Sequence, residues 1–214
     1  MNDIIERIKD NTAILGIIGL GYVSLPLALA FSKKFRVYGF DINETIIHNL
    51  IEGHSHVIDI SDNLLKASIN KKFFPTTSET DLKLCDFIII CVPTPLTPEK
   101  DPDLSYIKNT CETIAKMLRK GQFVILESTT YPGTTDEVVV PILEGSGLRG
   151  GIDFGVAYSP ERIDPGNQSS SVETIPKVVG GINKRCTEIC AALYSEAIHN
   201  VQTVRDARTA EAVK

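Results

Sequence analysis

Ile14-Leu15-Gly16-Ile17-Ile18-Gly19-Leu20-Gly21-Tyr22-Val23-Ser24-Leu25-Pro26-Leu27-Ala28-Leu29-Ala30 runs on through Phe35-Arg36-Val37-Tyr38-Gly39-Phe40 to Asp41. An apolar run leads into two glycines one residue apart. A helix-like apolar segment follows, and a second short apolar run ends in a carboxylate. This is the order of parts in a βαβ dinucleotide-binding unit. Gly19 allows a tight turn after the first strand, and Gly21 lets the backbone approach a pyrophosphate with no Cβ in the way. The helix that starts near Tyr22 and Val23 aims its N–H groups and positive dipole end at the phosphates. Gly19, Leu20, Gly21, Tyr22 and Val23 are therefore the expected phosphate loop. Asp41 stands 20 residues after Gly21, where a carboxylate can accept hydrogen bonds from the adenosine ribose hydroxyls. Ser24 takes the place of the fingerprint's third glycine. That position serves helix-on-strand packing, so a packing adjustment is expected there.

Outward from this stretch, strands and helices alternate. Strands are expected over residues 12–18, 35–40, 73–77, 86–92, 122–126, 154–157, 177–181 and 201–204. The run Asp86-Phe87-Ile88-Ile89-Ile90-Cys91-Val92 is apolar throughout, as suits a strand buried on both faces of a parallel sheet. Asn43, Ser61, Asn183 and Asp206 read as helix N-caps. Ser78-Glu79-Thr80-Asp81 and Thr134-Thr135-Asp136-Glu137 read as capping motifs. The Asn183 helix is expected to reach about Ile198. Another helix carries Ile107, Cys111, Ile114, Ala115 and Leu118 on one face. Near the start, the Ile4-Ile5-Ile8 spacing predicts a short amphipathic turn. Asn167-Gln168-Ser169-Ser170-Ser171 reads as a mobile loop. The alternation predicts an α/β fold: a doubly wound, mostly parallel sheet with helices on both faces and right-handed crossovers. Residues 1–204 form one expected domain. Residues 205–214 are the expected start of a connecting helix, whose abrupt stop reads as the end of the N-terminal part of a longer protein.

The composition suits a soluble globular chain: 214 residues, 43% hydrophobic, 23% charged, net charge −5. There is no Lys/Arg run, which argues against a nucleic-acid or membrane-surface partner. No segment nears the roughly 18 consecutive apolar residues of a membrane span. The N-terminus lacks the pattern of a signal peptide, and a cytoplasmic location is expected. Cys85, Cys91, Cys111, Cys186 and Cys190 are odd in number and form no CxxC, as befits reduced thiols. Cys186 and Cys190 sit four apart, but nothing completes a four-ligand set around them, and no metal is expected.

In a doubly wound sheet, ligands sit at the carboxyl ends of the strands. Four expected strand ends carry chemistry: Gly19-Leu20-Gly21, Cys91-Val92-Pro93-Thr94-Pro95, Ser128-Thr129-Thr130 and Ser159-Pro160-Glu161-Arg162. The hydroxyls of Thr94 and Thr129 could bond a cofactor or water, and Glu161 could act as an acid or base. Each residue also has an ordinary use, in a turn, a cap or a solvated surface. Four such ends on one edge give the functional reading its weight.

On the stretch from Gly19 to Ala28, together with Cys91-Val92-Pro93-Thr94-Pro95, Glu127-Ser128-Thr129-Thr130-Tyr131-Pro132-Gly133-Thr134-Thr135 and Ser159-Pro160-Glu161-Arg162, the chain resembles the UDP-glucose/GDP-mannose dehydrogenase family over nearly its whole length. The resemblance implies a Rossmann-like fold. It also implies oxidation of the C6 alcohol of a nucleotide sugar to a carboxylate with two NAD⁺. The run from Ser159 to Asn167, with Pro93-Thr94-Pro95-Leu96 and Pro102-Asp103-Leu104-Ser105-Tyr106, is similar to the branch acting on UDP-N-acetylhexosamines, with UDP-N-acetylglucosamine the favoured substrate. The UDP-glucose enzymes usually have Glu-Phe-Leu after the proline. By the same resemblance Gly19, Gly21 and Asp41 hold NAD⁺, with Val92 and Thr94 lining its path. Thr129 places the catalytic water, Glu161 serves as general acid/base in thioester hydrolysis, and Lys214 stabilises oxyanion charge. The family's dimer is built around the long helix that this chain begins.

The family's nucleophile is a cysteine in a Gly-rich segment far downstream, and none of the cysteines here replaces it. Cys91, between Ile90 and Val92, reads as a buried core thiol. The chain alone is therefore expected to bind NAD⁺ without turnover. Two readings from other classes compete: an NAD-sensing regulatory module, which would not need Thr129 and Glu161, and another β-hydroxyacid-type dehydrogenase, which would not carry Ser-Pro-Glu-Arg.

Overall fold

The computed structural model describes residues 2–161 and 172–213. The expected mobile loop at 167–171, Arg162 and Lys214 lie outside the described residues.

The strands are β1 (Ile14–Ile18), β2 (Arg36–Phe40), β3 (Phe73–Thr76), β4 (Phe87–Ile90), β5 (Phe123–Leu126), β6 (Gly155–Tyr158), β7 (Lys177–Gly181) and β8 (Val201–Thr203). They form one sheet in the order β3-β2-β1-β4-β5-β6-β7-β8. Every pairing is parallel except β6 with β7, which is antiparallel. The order turns back on itself between β1 and β4, the switch point at which doubly wound sheets bind ligands.

Side chains alternate across the sheet with period two. Leu15, Ile17, Phe87, Ile89, Phe123, Ile125, Ala157 and Val179 join one core cluster. Ile18, Ile88, Ile90, Val124, Leu126, Val156, Tyr158 and Val178 join the other. Helices α1 (Asn2–Lys9), α2 (Ser24–Ser32), α3 (Glu44–Ile51), α4 (Asp62–Ser68) and α7 (Lys184–Tyr194) contribute to the first cluster. Helices α5 (Ser105–Ala115), α6 (Val140–Glu144) and α8 (Ala207–Ala212) contribute to the second. Helices thus cover both faces. In α2 nearly every side chain is buried, including Leu25, Leu27 and Phe31. A helix apolar all round belongs inside, and each such side chain contributes roughly 1.5–3 kcal/mol on burial.

Asn43, Ser61, Asn183 and Asp206 cap their helices as expected, each accepting from a backbone N–H two or three residues on. Four local expectations are corrected. The first turn is a full helix, α1, which seats Ile4 and Ile8 in the core. The segment after Ser78 is a 3₁₀ helix with no side-chain cap, because Thr76 Oγ1 accepts from Ser78 N and the Ser78 hydroxyl meets Thr80. The capping box at Thr134 does not form. Its donors, Thr134 N and Glu137 N, bond the carbonyls of Tyr131 and Gly133; Thr134 Oγ1 donates to Tyr131 O at 2.9 Å, and Glu211 of α8 takes the neighbouring N–H groups of Gly133 and Thr135. That segment opens with a π-helical turn, Thr135–Val139, which leads into α6. Finally, α7 ends at Tyr194, short of Ile198.

The edge opposite the strand ends is closed by Asp86. Its carboxylate accepts from Ile14 N at 3.0 Å, from Arg7 of α1 at 3.2 Å and from Arg119 at 3.2 Å. No helix among the described residues is long and apolar enough to cross a membrane.

Candidate functional site

Strands β1, β4, β5 and β6 are consecutive and parallel, so the four chemistry-bearing ends meet along one edge. Backbone bonds continue the ladder past the strands: Cys91 N donates to Ile18 O, Glu127 N to Ile90 O and Ser159 N to Leu126 O. Ser128 Oγ donates to Val92 O at 2.7 Å, fastening the end of β5 to that of β4. Val92 and Thr94 are half-buried beside this contact, and Thr129 is exposed on its open side.

The loop after β1 sits in the switch-point crevice. Gly19 has φ 86°, and a Cβ there would lie 2.9 Å from the Cys91 carbonyl oxygen. Only glycine meets both demands. A Cβ on Gly21 would meet nothing within 4 Å, so the loop opens outward there and leaves room for a ligand to reach the backbone. The loop's shape is fixed from within. Leu20 N donates to Asp41 Oδ2 at 2.8 Å, and Gly21 N donates to Ser24 Oγ at 2.8 Å. Ser24 is buried, so the residue in place of the third glycine both packs and ties the loop. The other end of the Leu20 peptide is held by His56, whose Nε2 lies 2.6 Å from Leu20 O. A carbonyl only accepts, so that nitrogen carries the proton. Tyr22 is exposed and Val23 half-buried at the mouth of α2.

Beyond β6, Glu161 is only 8% exposed. Its Oε2 accepts from Lys177 Nζ at 2.8 Å, and the same ammonium donates to Glu127 Oε2 at 3.0 Å. Tyr194 donates its hydroxyl to the other Glu127 oxygen. The Lys177 ammonium also lies 5.4 Å from the centre of the Tyr194 ring, a cation–π distance. Lys177 and Glu127 are 3% and 2% exposed. Burial alone would lower the lysine, but Glu127 and Glu161 outweigh it and push Lys177 above the usual lysine range.

Burial raises all five thiols: Cys85 and Cys111 to about 12, Cys186 above its ordinary value, and Cys91 and Cys190 well above it. Cys91, expected as a buried core thiol, is only half-buried at the edge of the first cluster, whereas the other four are buried. Reactive cysteines need the reverse shift. Among the described residues no three His, Cys, Asp or Glu side chains gather as a metal site.

The sequence placed Gly19, Leu20, Gly21, Tyr22, Val23, Asp41, Val92, Thr94, Thr129 and Glu161 at strand ends, and all of them lie along this edge. It missed Lys177, Glu127, Tyr194 and His56. A lysine opening an otherwise apolar strand was the one available signal for the first.

Residues 13–198 match the NAD binding domain of the UDP-glucose/GDP-mannose dehydrogenase family. The chain belongs to that family. NAD is therefore its cofactor. Protein CapL of Staphylococcus aureus is 42% identical over 205 residues, covering 94% of this chain and 48% of the relative. UDP-N-acetyl-D-glucosamine 6-dehydrogenase of Pseudomonas aeruginosa is 41% identical over the same shares. The solved UDP-D-ManNAc dehydrogenase of Pyrococcus horikoshii superposes with a TM-score of 0.88 at 35% identity, covering 94% of this chain and 49% of that one. The chain thus spans about half the length of the curated relatives it matches.

Proposed function

We propose that this chain is the cofactor half of an NAD-dependent UDP-sugar 6-dehydrogenase. The enzyme oxidises the C6 alcohol of UDP-N-acetylglucosamine to the uronic acid, reducing two NAD⁺. The observation that carries this reading is the meeting of Thr129 and Glu161, on adjacent strand ends, with the Gly19–Gly21 loop on one edge. A cofactor-sensing module needs the loop but not the other two.

In this reading the phosphates sit over Gly21 at the N–H groups of Tyr22 and Val23, and Asp41 takes the adenosine ribose. Val92 and Thr94 line the path to the nicotinamide. Thr129 holds the water, Glu161 is the acid/base in thioester hydrolysis, and Lys214 supplies the charge that stabilises the oxyanion. The raised thiols, half-buried Cys91 and buried Cys190 among them, support a nucleophile from outside residues 1–214. Residues 1–204 act as the NAD-binding domain and 205–214 as the start of the helix that joins it to the second half. The whole protein works in the cytoplasm as a homodimer or higher homo-oligomer.

Calorimetry on residues 1–214 should detect NAD⁺ binding that Asp41→Ala weakens, with no NADH formed from UDP-N-acetylglucosamine. The full-length protein should form two NADH per sugar. Absence of NAD⁺ binding at millimolar concentration would overturn the cofactor assignment. Preference for UDP-glucose or UDP-N-acetylmannosamine would overturn the substrate.

A further inference from the structure

We propose that Lys177 is a positioning residue: its ammonium, held by Glu127, fixes the Glu161 carboxylate in place to take the proton of the attacking water. The inference rests on the function proposed above. In that step the water oxygen bonds to the acyl carbon and the C–S bond breaks. The thiolate leaves, and one water proton passes to Glu161. Nothing is oxidised or reduced.

Three observations carry it. First, the ammonium is held independently of Glu161. Glu127 Oε2 accepts from it at 3.0 Å, and Glu127 is itself anchored through its other oxygen by the Tyr194 hydroxyl. The Tyr194 ring packs against the same nitrogen. A donor with so little freedom orients whatever it bonds, and it bonds Glu161 Oε2 at 2.8 Å.

Second, the topology delivers Lys177 to the chemical edge. It is the first residue of β7, and the first residue of a parallel strand would lie at the far edge. Because β7 runs against β6, with Tyr158 opposite Gly180, Lys177 lies past the end of β6, where Glu161 sits.

Third, the cluster is enclosed. Two carboxyl groups share one ammonium, and all three are nearly buried. Buried ion clusters are a poor source of stability, since apolar side chains of similar volume often do as well. A carboxyl group held rigid by a fixed donor at this edge is what a positioned base requires.

The test uses the full-length enzyme with UDP-N-acetylglucosamine and NAD⁺, comparing Glu161→Gln, Lys177→Met and the double variant Glu127→Gln/Lys177→Met. The double variant removes Glu127's carboxylate together with its ammonium partner, so it serves if Lys177→Met does not fold. For the Lys177 variants we expect kcat to fall about 10- to 100-fold, with the KM for NAD⁺ within about twofold. Intact-protein mass spectrometry should show an acyl adduct on the enzyme accumulating, as in Glu161→Gln. A wild-type kcat in the Lys177 variants would overturn the proposal. So would a loss of kcat that comes with raised KM and no adduct, because that pattern marks a purely structural role. If Glu161→Gln itself keeps wild-type kcat, the functional reading fails and takes the proposal with it. Loss in Glu161→Gln with none in the Lys177 variants overturns the proposal alone.

Discussion

Glu211 caps Thr135 across 76 positions of sequence, accepting from its N–H at 2.8 Å and its hydroxyl at 2.6 Å. The second carboxylate oxygen takes the Gly133 N–H at 2.5 Å. The carboxylate is 2% exposed, so removing it strands several donors without water. Glu211→Ala should cost about 2–3 kcal/mol, a fall in Tm of roughly 5–10 °C. Glu211→Gln, which keeps one acceptor oxygen, should cost less. Differential scanning calorimetry separates the two.

Gly19 and Gly21 should respond differently to the same substitution. Gly19→Ala strains a positive φ and presses a methyl onto the Cys91 carbonyl, costing about 2–3 kcal/mol. Gly21→Ala projects into open space and should leave Tm within about 2 °C. NAD⁺ affinity should nevertheless fall roughly tenfold or more, because the methyl stands where the phosphates approach. Thermal melts with and without NAD⁺ test both.

The thiols should be inert. Burial, the largest cause in every case, holds all five above the ordinary cysteine value, with Cys85 and Cys111 at about 12. A disulfide reagent at pH 8 should label none of them in native buffer within minutes and all of them in denaturant.

Asp206 predicts an acid-sensitive step. Hydrogen bonds from Thr209 and Arg205 hold its carboxyl at about 2. A depressed folded-state value means stability that is present above the unfolded value near 3.8. That stability is lost as pH falls toward about 2. Tm should therefore drop more steeply between pH 4 and pH 2 in the wild type than in Asp206→Asn.

What could be read from sequence followed from locality. The apolar runs of β4 and β5 declared themselves because both faces of the sheet are covered. Asn43, Ser61, Asn183 and Asp206 bond N–H groups two or three residues away, so their neighbours in sequence suffice to identify them. Thr134 failed for the opposite reason. The local pattern of a capping box was present, but its two donors turn to backbone carbonyls, Thr134 N to Tyr131 O and Glu137 N to Gly133 O, while Glu211 arrives from another helix to take Gly133 N and Thr135 N. In sequence Lys177 merely opens a strand, and nothing in a period of two reveals that β7 is reversed against β6. In sequence Glu127 stands only as the start of the Ser128-Thr129 motif, because its partners Lys177 and Tyr194 lie 50 and 67 positions away.

The Asp86 latch has a practical consequence for anyone expressing this protein. The family match begins at residue 13, and a clone trimmed to that boundary would discard α1. The truncation would remove Arg7 from Asp86 and uncover the pocket filled by Ile4 and Ile8. Exposed apolar surface of that kind favours aggregation. A purification tag ahead of Asn2 leaves the latch whole, whereas a start codon moved to Thr12 should yield inclusion bodies.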